Sequence, residues 1–136
     1  TGNSSWSKSV NWPDDHHSGH MQHPVISGGV MYLQPNGHDI NSGNLVTENM
    51  GKREGCHNYV GAGDALIYRG KSRQISMWSK DSESVTSWPR LRPSCWLNTI
   101  PSSGMLLIPE GGGGCSCGGW METSLGFIPK VHLNKK

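Results

Sequence analysis

The densest group of side chains that could do chemistry lies near the start of the chain, between Asp14 and His23. Neutral imidazoles bind borderline cations such as Zn²⁺ and Cu²⁺, so a transition-metal site would use the four histidines of this stretch, which are His16, His17, His20 and His23. The alternative is a solvent-exposed polar turn whose histidines bond to the backbone. The stretch lacks the paired-ligand knuckles of a structural zinc site.

The chain has four cysteines, which are Cys56, Cys95, Cys115 and Cys117. An even number of cysteines in a glycine-rich chain with few core residues favours two disulfides and an oxidising compartment. A bridge between Cys115 and Cys117 would close a very small ring, so we expect each of them to pair with Cys56 or Cys95. The alternative is a thiolate metal site formed by the same cysteines with His57.

Other catalytic and cofactor motifs are missing from the sequence. It contains no Cys-x-x-Cys and no Cys-x-x-Cys-His, which argues against thioredoxin-like redox chemistry and against haem attachment through the usual pentapeptide. The glycine run Gly111–Gly114 is not followed by the Lys-Ser/Thr of a phosphate-binding loop. Ser103 and Ser124 lack the Gly-x-Ser-x-Gly frame of a nucleophile elbow. We therefore expect a protein that is not an enzyme.

The secondary-structure elements that would position these residues are indicated by a pattern that occurs three times in the sequence. Segments Val25–Leu33, Val60–Tyr68 and Ile100–Ile108 each consist of an apolar run, a turn with glycine, and a second apolar run. This pattern predicts a β-hairpin in each segment. The hairpins recur after 35 and 40 residues, a period typical of propeller blades with four short strands.

Further strands are predicted between these hairpins. A turn at Ser42-Gly43 separates two short strands, and Ile75–Ser82 and Val85–Trp88 read as half-buried strands. The prolines at positions 89 and 93 exclude a central strand between them. The fold class is thus all-β, with about three propeller-blade-like antiparallel units that form an incomplete propeller stapled by disulfides.

Composition supports this class and limits the partners. The chain has 19 Gly, 8 Pro and 33% hydrophobic residues, which fits a turn-rich β protein. A net charge of +2 with scattered basic residues gives no basis for nucleic-acid binding. No apolar run is long enough for a transmembrane segment. Because it starts without Met or a secretory apolar region, the chain is interpreted as processed or excised.

Three regions are predicted along the chain. Residues 1–24 form an N-terminal arm that is histidine-rich at its end, and Trp6 and Trp12 are its candidate anchors on a docking surface. Residues 25–129 form the repeat domain, and residues 130–136 form a C-terminal tail.

Several of these segments resemble the C-terminal region of pyrroloquinoline-quinone-binding-like β-propeller repeat proteins, which are large secreted or periplasmic bacterial proteins. The resemblance lies in four segments, which are His38–Gly43, Arg92–Leu97, Pro109–Cys117 and Glu122–Phe127. It extends over roughly His23 to Pro129 and implies an extracytoplasmic, propeller-like fold. The Cys-Trp and Cys-x-Cys segments are its specific parts.

The chain departs from these proteins in size, because it has about three units whereas a closed propeller needs at least about four. Quinone cofactors in that group use a vicinal Cys-Cys pair and the axis of a complete ring, and this sequence has no such pair. The resemblance therefore describes shape and not activity, and we expect no quinone cofactor.

Three functions remain as hypotheses, and the third, an enzyme acting on sugars or alcohols, has no paired catalytic residues of recognisable spacing to support it. The first is a non-enzymatic, periplasmic or secreted module that assembles with itself or with sister chains, and forms a filament if the contact does not close. It follows from the low number of units and from strand edges that must be covered. The second is a histidine-rich module that binds Zn or Cu within a larger periplasmic redox or enzyme assembly.

Overall fold

The computed structural model describes residues 2–10, 23–93, 99–109 and 124–130. Within these ranges the chain forms three antiparallel sheets. The first sheet consists of β1 Val25–Ser27, β2 Val30–Leu33, β3 Asn36–Asp39 and β4 Leu45–Thr47. The second consists of β5 Val60–Ala62, β6 Ala65–Arg69, β7 Ile75–Ser79 and β8 Ser84–Trp88. The third consists of β9 Ile100–Ser102, β10 Met105–Ile108 and β11 Leu125–Phe127.

The first two strands of every sheet are the hairpins that the repeat predicts. Their turns contain residues with positive φ, which are Gly28 and Gly29 in the first hairpin, Gly63 in the second, and Ser103 and Gly104 in the third. Positive φ at the turn matches the right-handed twist of the paired strands. The prediction of three hairpins is confirmed, and so is the all-β fold with antiparallel sheets.

Each of the first two sheets is a simple meander in which sequential strands are neighbours. The turn between β3 and β4 is held by the Asp39 carboxylate, whose Oδ1 accepts hydrogen bonds from the Asn41 and Ser42 amides at 3.0 and 2.8 Å. These bonds stabilise the charged carboxylate, and they lower the pKa of Asp39. The predicted Ser42-Gly43 turn between short strands is therefore confirmed.

The sheets pack on one another through two separate apolar cores. The first core joins the first two sheets and includes Tyr32, Leu66 and Trp78. Tyr32 and Trp78 meet with ring centroids 5.9 Å apart at an angle of 60°. The second core joins the second and third sheets through Ile67 and Ile108, among others. The second sheet is thus covered on both faces, because side chains alternate between the faces of a strand.

The leading strands of the three sheets lie side by side, since β1 contacts β5 and β5 contacts β9. At the first of these contacts Val25 lies so close to Gly61 that a Cβ at Gly61 would be 3.0 Å from its Cγ1. The turns of the first two hairpins are also linked, because the Ser27 hydroxyl donates to the Gly63 carbonyl at 3.2 Å. The leading strands of the three hairpins therefore lie next to one another in chain order.

Candidate functional site

The predicted metal ligands are largely outside the part of the chain that the structure describes. His16, His17 and His20 lie in the undescribed range 11–22, and His23 is exposed. Within the described ranges no group of three or more His, Cys, Asp or Glu side chains could hold a metal ion. The histidine-rich metal site stays a prediction.

Most of the predicted disulfide cysteines also lie outside the described residues. Cys56 is buried, with 3% of its surface exposed, in the loop between β4 and β5. Cys95, Cys115 and Cys117 lie outside the described residues. The pairing of the four cysteines, and their alternative role as thiolate ligands, stay predictions.

A buried polar cluster surrounds the loop that carries Cys56. The Nδ1 atom of His57 accepts a hydrogen bond from the Arg69 amide at 2.9 Å. The Arg69 guanidinium donates from Nε to the Glu54 carbonyl at 2.9 Å, and the Arg53 Nη1 donates to the Gly55 carbonyl at 2.6 Å. Both arginines are 0% exposed, and His57 is 2% exposed. The cluster therefore fastens the 53–57 loop to strand β6.

Burial and the neighbouring cations decide the protonation state of His57. Loss of solvent and, to a lesser extent, the positive charge of Arg69 lower the pKa of His57 to about 3. His57 is therefore neutral near pH 7, with its proton on Nε2 because Nδ1 is an acceptor. Its Nε2 has no hydrogen-bond partner within the described ranges.

Two tyrosines and Gln34 extend the cluster toward the first sheet. The Tyr59 hydroxyl lies 2.5 Å from the Gly51 carbonyl and 3.2 Å from Gln34 Oε1, which also accepts from the Arg53 amide at 3.0 Å. Burial raises the pKa of Tyr68 to about 12, and it raises the pKa of Tyr59 as well. Neither phenol is ionised near neutral pH, and the hydrogen bonds from Tyr59 join the loop before β5 to the first sheet.

The members of this cluster come from separate loops and strands, so the sequence alone does not indicate it. The cysteine count drew attention to Cys56, but no spacing pattern links His57 to Arg53 or Arg69. Only the pairing of β6 with the 53–57 loop brings them together.

The outward face of the first sheet presents a continuous row across its four strands. Ile26 pairs with Met31, Met31 with His38, and His38 with Leu45. Ile26 is 61% exposed and Leu45 is 43% exposed, whereas His38 is only 4% exposed. The apolar ends of this row, Ile26 and Leu45, are therefore exposed to solvent, whereas its middle is covered at His38.

The outward face of the third sheet is apolar as well. Leu107 of β10 pairs with Ile100 of β9 on one side and with Gly126 of β11 on the other. Ile100 is 48% exposed, and Met105, which lies on the same face, is 39% exposed. Met105 and Leu107 both approach Gly126, where a Cβ would be 3.4 and 3.5 Å away from their side chains.

These two outward faces correspond to the two faces that pack in the interior. When the hairpin turns are aligned, Met31 and His38 of the first sheet match Leu66 and Trp78 of the second, which face the first core. In the third sheet, Leu107 matches Ile67, which faces the second core. The outward face of the first sheet is therefore equivalent to the Leu66 face of the second sheet, and the outward face of the third sheet is equivalent to the Ile67 face. Faces of these two types pack against each other between neighbouring sheets.

The N-terminal arm covers part of the first outward face. The Trp6 indole donates from Nε1 to the Ile40 carbonyl at 2.9 Å and lies against Gly43, where a Cβ would be 2.8 Å from the ring. Lys8 Nζ lies 3.4 Å from His38 Nδ1. Between the arm and the sheet is a cavity of about 310 Å³, lined by Lys8, Ser9, Val10, Pro35, Asn36, His38 and Leu45.

The arm therefore engages its own first sheet through Trp6, one of the two predicted anchors. Trp12, the other, lies outside the described residues. Docking of either tryptophan on a neighbouring chain stays a prediction.

An apolar groove runs between the second and third sheets. It encloses about 230 Å³, and Trp88, Phe127 and Ile128 line it together with side chains of the second core. Trp88 and Phe127 are 37% and 39% exposed. Among the described residues, those that line the groove are uncharged.

In the part of the chain that the structure describes, no helix has the length and apolarity needed to cross a bilayer. Comparisons of the chain with models of protein families, with curated proteins and with solved structures found no match.

Proposed function

We propose that this chain is a non-enzymatic, propeller-like assembly module that joins to a second copy of itself, end to end, outside the cytoplasm. The outward face of the first sheet is one joining surface, defined by Ile26, Met31, His38 and Leu45, and is called the leading face. The other is the outward face of the third sheet, defined by Ile100, Met105 and Leu107, and is called the trailing face.

The observation that carries the proposal is the correspondence between these faces and the interior ones. In the first core, Tyr32 of one sheet meets Leu66 and Trp78 of the next. A leading face placed on a trailing face would set matching positions against each other, with Met31 in the place of Leu66 and Leu107 in the place of Tyr32. Repetition of an interface that the chain already uses twice needs no new packing geometry.

Exposed apolar surface supports the same conclusion. Ile26, Leu45, Ile100 and Met105 are each more than one third exposed. Exposed apolar patches on soluble proteins mark interaction sites, and the row from Ile26 to Leu45 crosses four strands with exposed apolar side chains at both ends. Burying these side chains between copies would gain roughly 25 cal/mol per Å² of apolar surface.

A contact between unlike faces is heterologous, so it either closes into a ring or continues as a filament. Two copies joined at both ends would contain six sheets, which lies within the range of about four to eight blades in β-propellers. A closed dimer would have twice the 14.8 kDa mass of the chain. Light scattering after size exclusion distinguishes this dimer from a filament.

The decisive experiment uses one variant for each face. Ile26→Asp places a charge on the leading face and Ile100→Asp places one on the trailing face. Both positions are exposed, so neither change should disturb the fold. We expect the wild type to form dimers or larger species at about 100 μM, which detects even a weak contact. Each variant alone should be monomeric, and an equimolar mixture should form a heterodimer through the one intact pair of faces.

The matched control is Val85→Asp, because Val85 is 47% exposed on β8 and lies on neither outward face. It should assemble like the wild type. A wild type that stays monomeric between pH 5 and pH 7.5, or an Ile26→Asp variant that still forms dimers by itself, would contradict end-to-end joining.

A further inference from the structure

Among the described residues, the third sheet has three strands, whereas the first and the second sheets have four each. Strand β11 is the counterpart of β3 and β7, since each is the third strand of its sheet. Strands β4 and β8 pair with the outer edges of β3 and β7, but no strand of the described part of the chain pairs with the outer edge of β11. An open edge of this kind can accept a further strand.

The pairing register identifies Phe127 as the residue of β11 that a fourth strand would cover. When the hairpins are aligned, Phe127 matches His38 and Trp78. Those two residues each pair with an apolar residue of the fourth strand, which is Leu45 in the first sheet and Val85 in the second. His38 and Trp78 are 4% and 2% exposed, whereas Phe127 is 39% exposed. A fourth strand of the third sheet would therefore place an apolar side chain opposite Phe127.

The arm has the sequence position of such a strand. Leu45 and Val85 each lie 15 residues before the first residue of the next sheet. Val10 of the arm likewise lies 15 residues before the first residue of β1. Ser9-Val10 also repeats the Ser84-Val85 of β8. The arm is therefore the counterpart of a fourth strand that precedes the first sheet, and end-to-end joining places the third sheet of a second copy there.

The backbone of the arm is available for strand pairing. Within the described ranges, residues 2–10 belong to no strand and make no backbone-to-backbone hydrogen bond. Trp6 holds the arm on the leading face through its side chain, and the half-buried Val10 lines the cavity beside Leu45. Pairing with a strand edge would give the amides and carbonyls of the arm backbone partners, which the contact with the leading face does not.

We propose that the arm of one copy adds to β11 of a second copy, as the fourth strand of that copy's third sheet. The addition between full chains rests on the proposed function, because end-to-end joining brings the arm to this edge. The register of β7 with β8 sets Val10 opposite Phe127 and Ser9 opposite Ile128. Backbone hydrogen bonds hold such an added strand, and apolar cross-strand pairs stabilise it. The arm then leaves the leading face free for the trailing face of the second copy.

The first experiment observes the added strand directly. A dimer made from ¹³C-labelled and unlabelled chains should show a nuclear Overhauser effect between the Val10 methyl groups of one copy and the Phe127 ring of the other. Because successive amides of a strand point to opposite edges, either the Ser9 or the Val10 amide must point to β11. That amide should exchange at least about tenfold more slowly in the dimer than in the monomer. An assembled wild type that shows neither signal overturns the proposal.

Proline substitutions test the backbone pairing. The Ser9→Pro/Val10→Pro variant removes both amide donors, so its dimer should dissociate at a concentration at least about fivefold higher than the wild-type dimer. Loss of the contacts of Val10 with its own first sheet would act in the opposite direction, because it uncovers the leading face. The matched control is Gly2→Pro/Asn3→Pro, at exposed positions outside the proposed strand, and it should assemble like the wild type. Equal dimerisation of the two variants overturns the proposal.

The last experiment separates this proposal from the proposed function. A synthetic peptide of residues 2–10 at about 1 mM, a concentration that detects weak binding, is added to the ¹⁵N-labelled Ile26→Asp chain, whose leading face cannot join. The amide signals of Gly126 and Phe127 should shift, and a peptide with proline at positions 9 and 10 should not shift them.

The outcomes of this experiment are read together with the assembly of the wild type. Shifts without assembly would leave strand addition in place and refute end-to-end joining. Assembly without the shifts and without the Overhauser signal would refute strand addition and leave end-to-end joining in place. Absence of both assembly and shifts would refute both.

Discussion

The buried, neutral state of His57 predicts a loss of stability on acidification. Burial lowers the pKa of His57 to about 3 in the folded chain, against an ordinary value of 6.5. Between these two values the unfolded chain binds a proton that the folded chain does not. The contribution of neutral His57 to stability is therefore complete above pH 6.5 and is lost progressively as the pH falls toward 3.

The size of this effect follows from the same two values. At pH 5 His57 is almost fully protonated in the unfolded chain and almost fully neutral in the folded one. Each unit of pH in that range costs about 1.4 kcal/mol, so moving from pH 7.5 to pH 5 should lower the free energy of unfolding by about 2 kcal/mol. Below pH 3 the total loss would reach about 5 kcal/mol.

Urea unfolding of the wild type and of His57→Asn at pH 7.5, 6.5, 5.5 and 5 measures this term. The asparagine amide oxygen can still accept the Arg69 amide hydrogen bond, but it does not titrate. The variant should therefore be less sensitive to pH than the wild type by about 2 kcal/mol over this range. Contributions of the other histidines are shared by both proteins and cancel in the comparison.

His23→Asn is the matched control, because His23 is exposed, and it should keep the pH dependence of the wild type. Equal losses of unfolding free energy in the wild type and in His57→Asn would refute the reasoning. That result would mean that His57 is solvated in the folded chain, or that it finds an acidic partner that holds its charge.

Three further predictions concern packing and metal binding. Gly51→Ala should lower the melting temperature by several degrees, because Gly51 has a φ of +88° and a Cβ would collide with the Tyr68 hydroxyl. Gly63→Ala should lower the melting temperature less, because Gly63 has a φ of +60° and a Cβ there would meet open space. Leu66→Ala should cost about 2–5 kcal/mol in urea unfolding because the side chain is 1% exposed, whereas Leu45→Ala at 43% exposure should cost no more than about 0.5 kcal/mol. Elemental analysis after incubation with Zn²⁺ or Cu²⁺ should find one tightly held ion per chain, and metal that leaves with a mild chelator would contradict a site formed by His16, His17, His20 and His23.

The hairpins could be predicted from sequence because the information that specifies them is local. The turns at Gly28, Gly63 and Ser103-Gly104 lie between largely apolar strands of three to five residues, and turn chemistry fixes the register of a hairpin. The strands after these hairpins were also expected, but their burial was not. Every residue of β8 is exposed, whereas Val85–Trp88 was expected to be half-buried. The apolar pattern of this segment does not reveal that it lies at the outer edge of its sheet.

The candidate sites could be predicted only in part, since they depend on contacts between distant segments. His38 was part of a recognisable turn motif, but its contact with Lys8 joins residues 30 positions apart. Trp6 was expected to need a docking surface, and the structure supplies one in the Ile40 carbonyl and Gly43 of the same chain. The correspondence of the two outward faces requires the pairing register of all three sheets, which no local pattern specifies.

His38 and Trp78 differ in a way that bears on the proposed assembly. These residues occupy matching positions in the first and second sheets, and Trp78 fills the first core with a large ring that meets Tyr32. A tryptophan buries a large apolar area and holds a permanent interface. A histidine buries less apolar area than a tryptophan, so it suits a face that the proposed assembly would cover with the arm in one state and with a second copy in the other. In the proposed assembly, His38 on the first sheet lets its face be covered by different partners, whereas Trp78 on the second sheet holds a permanent contact.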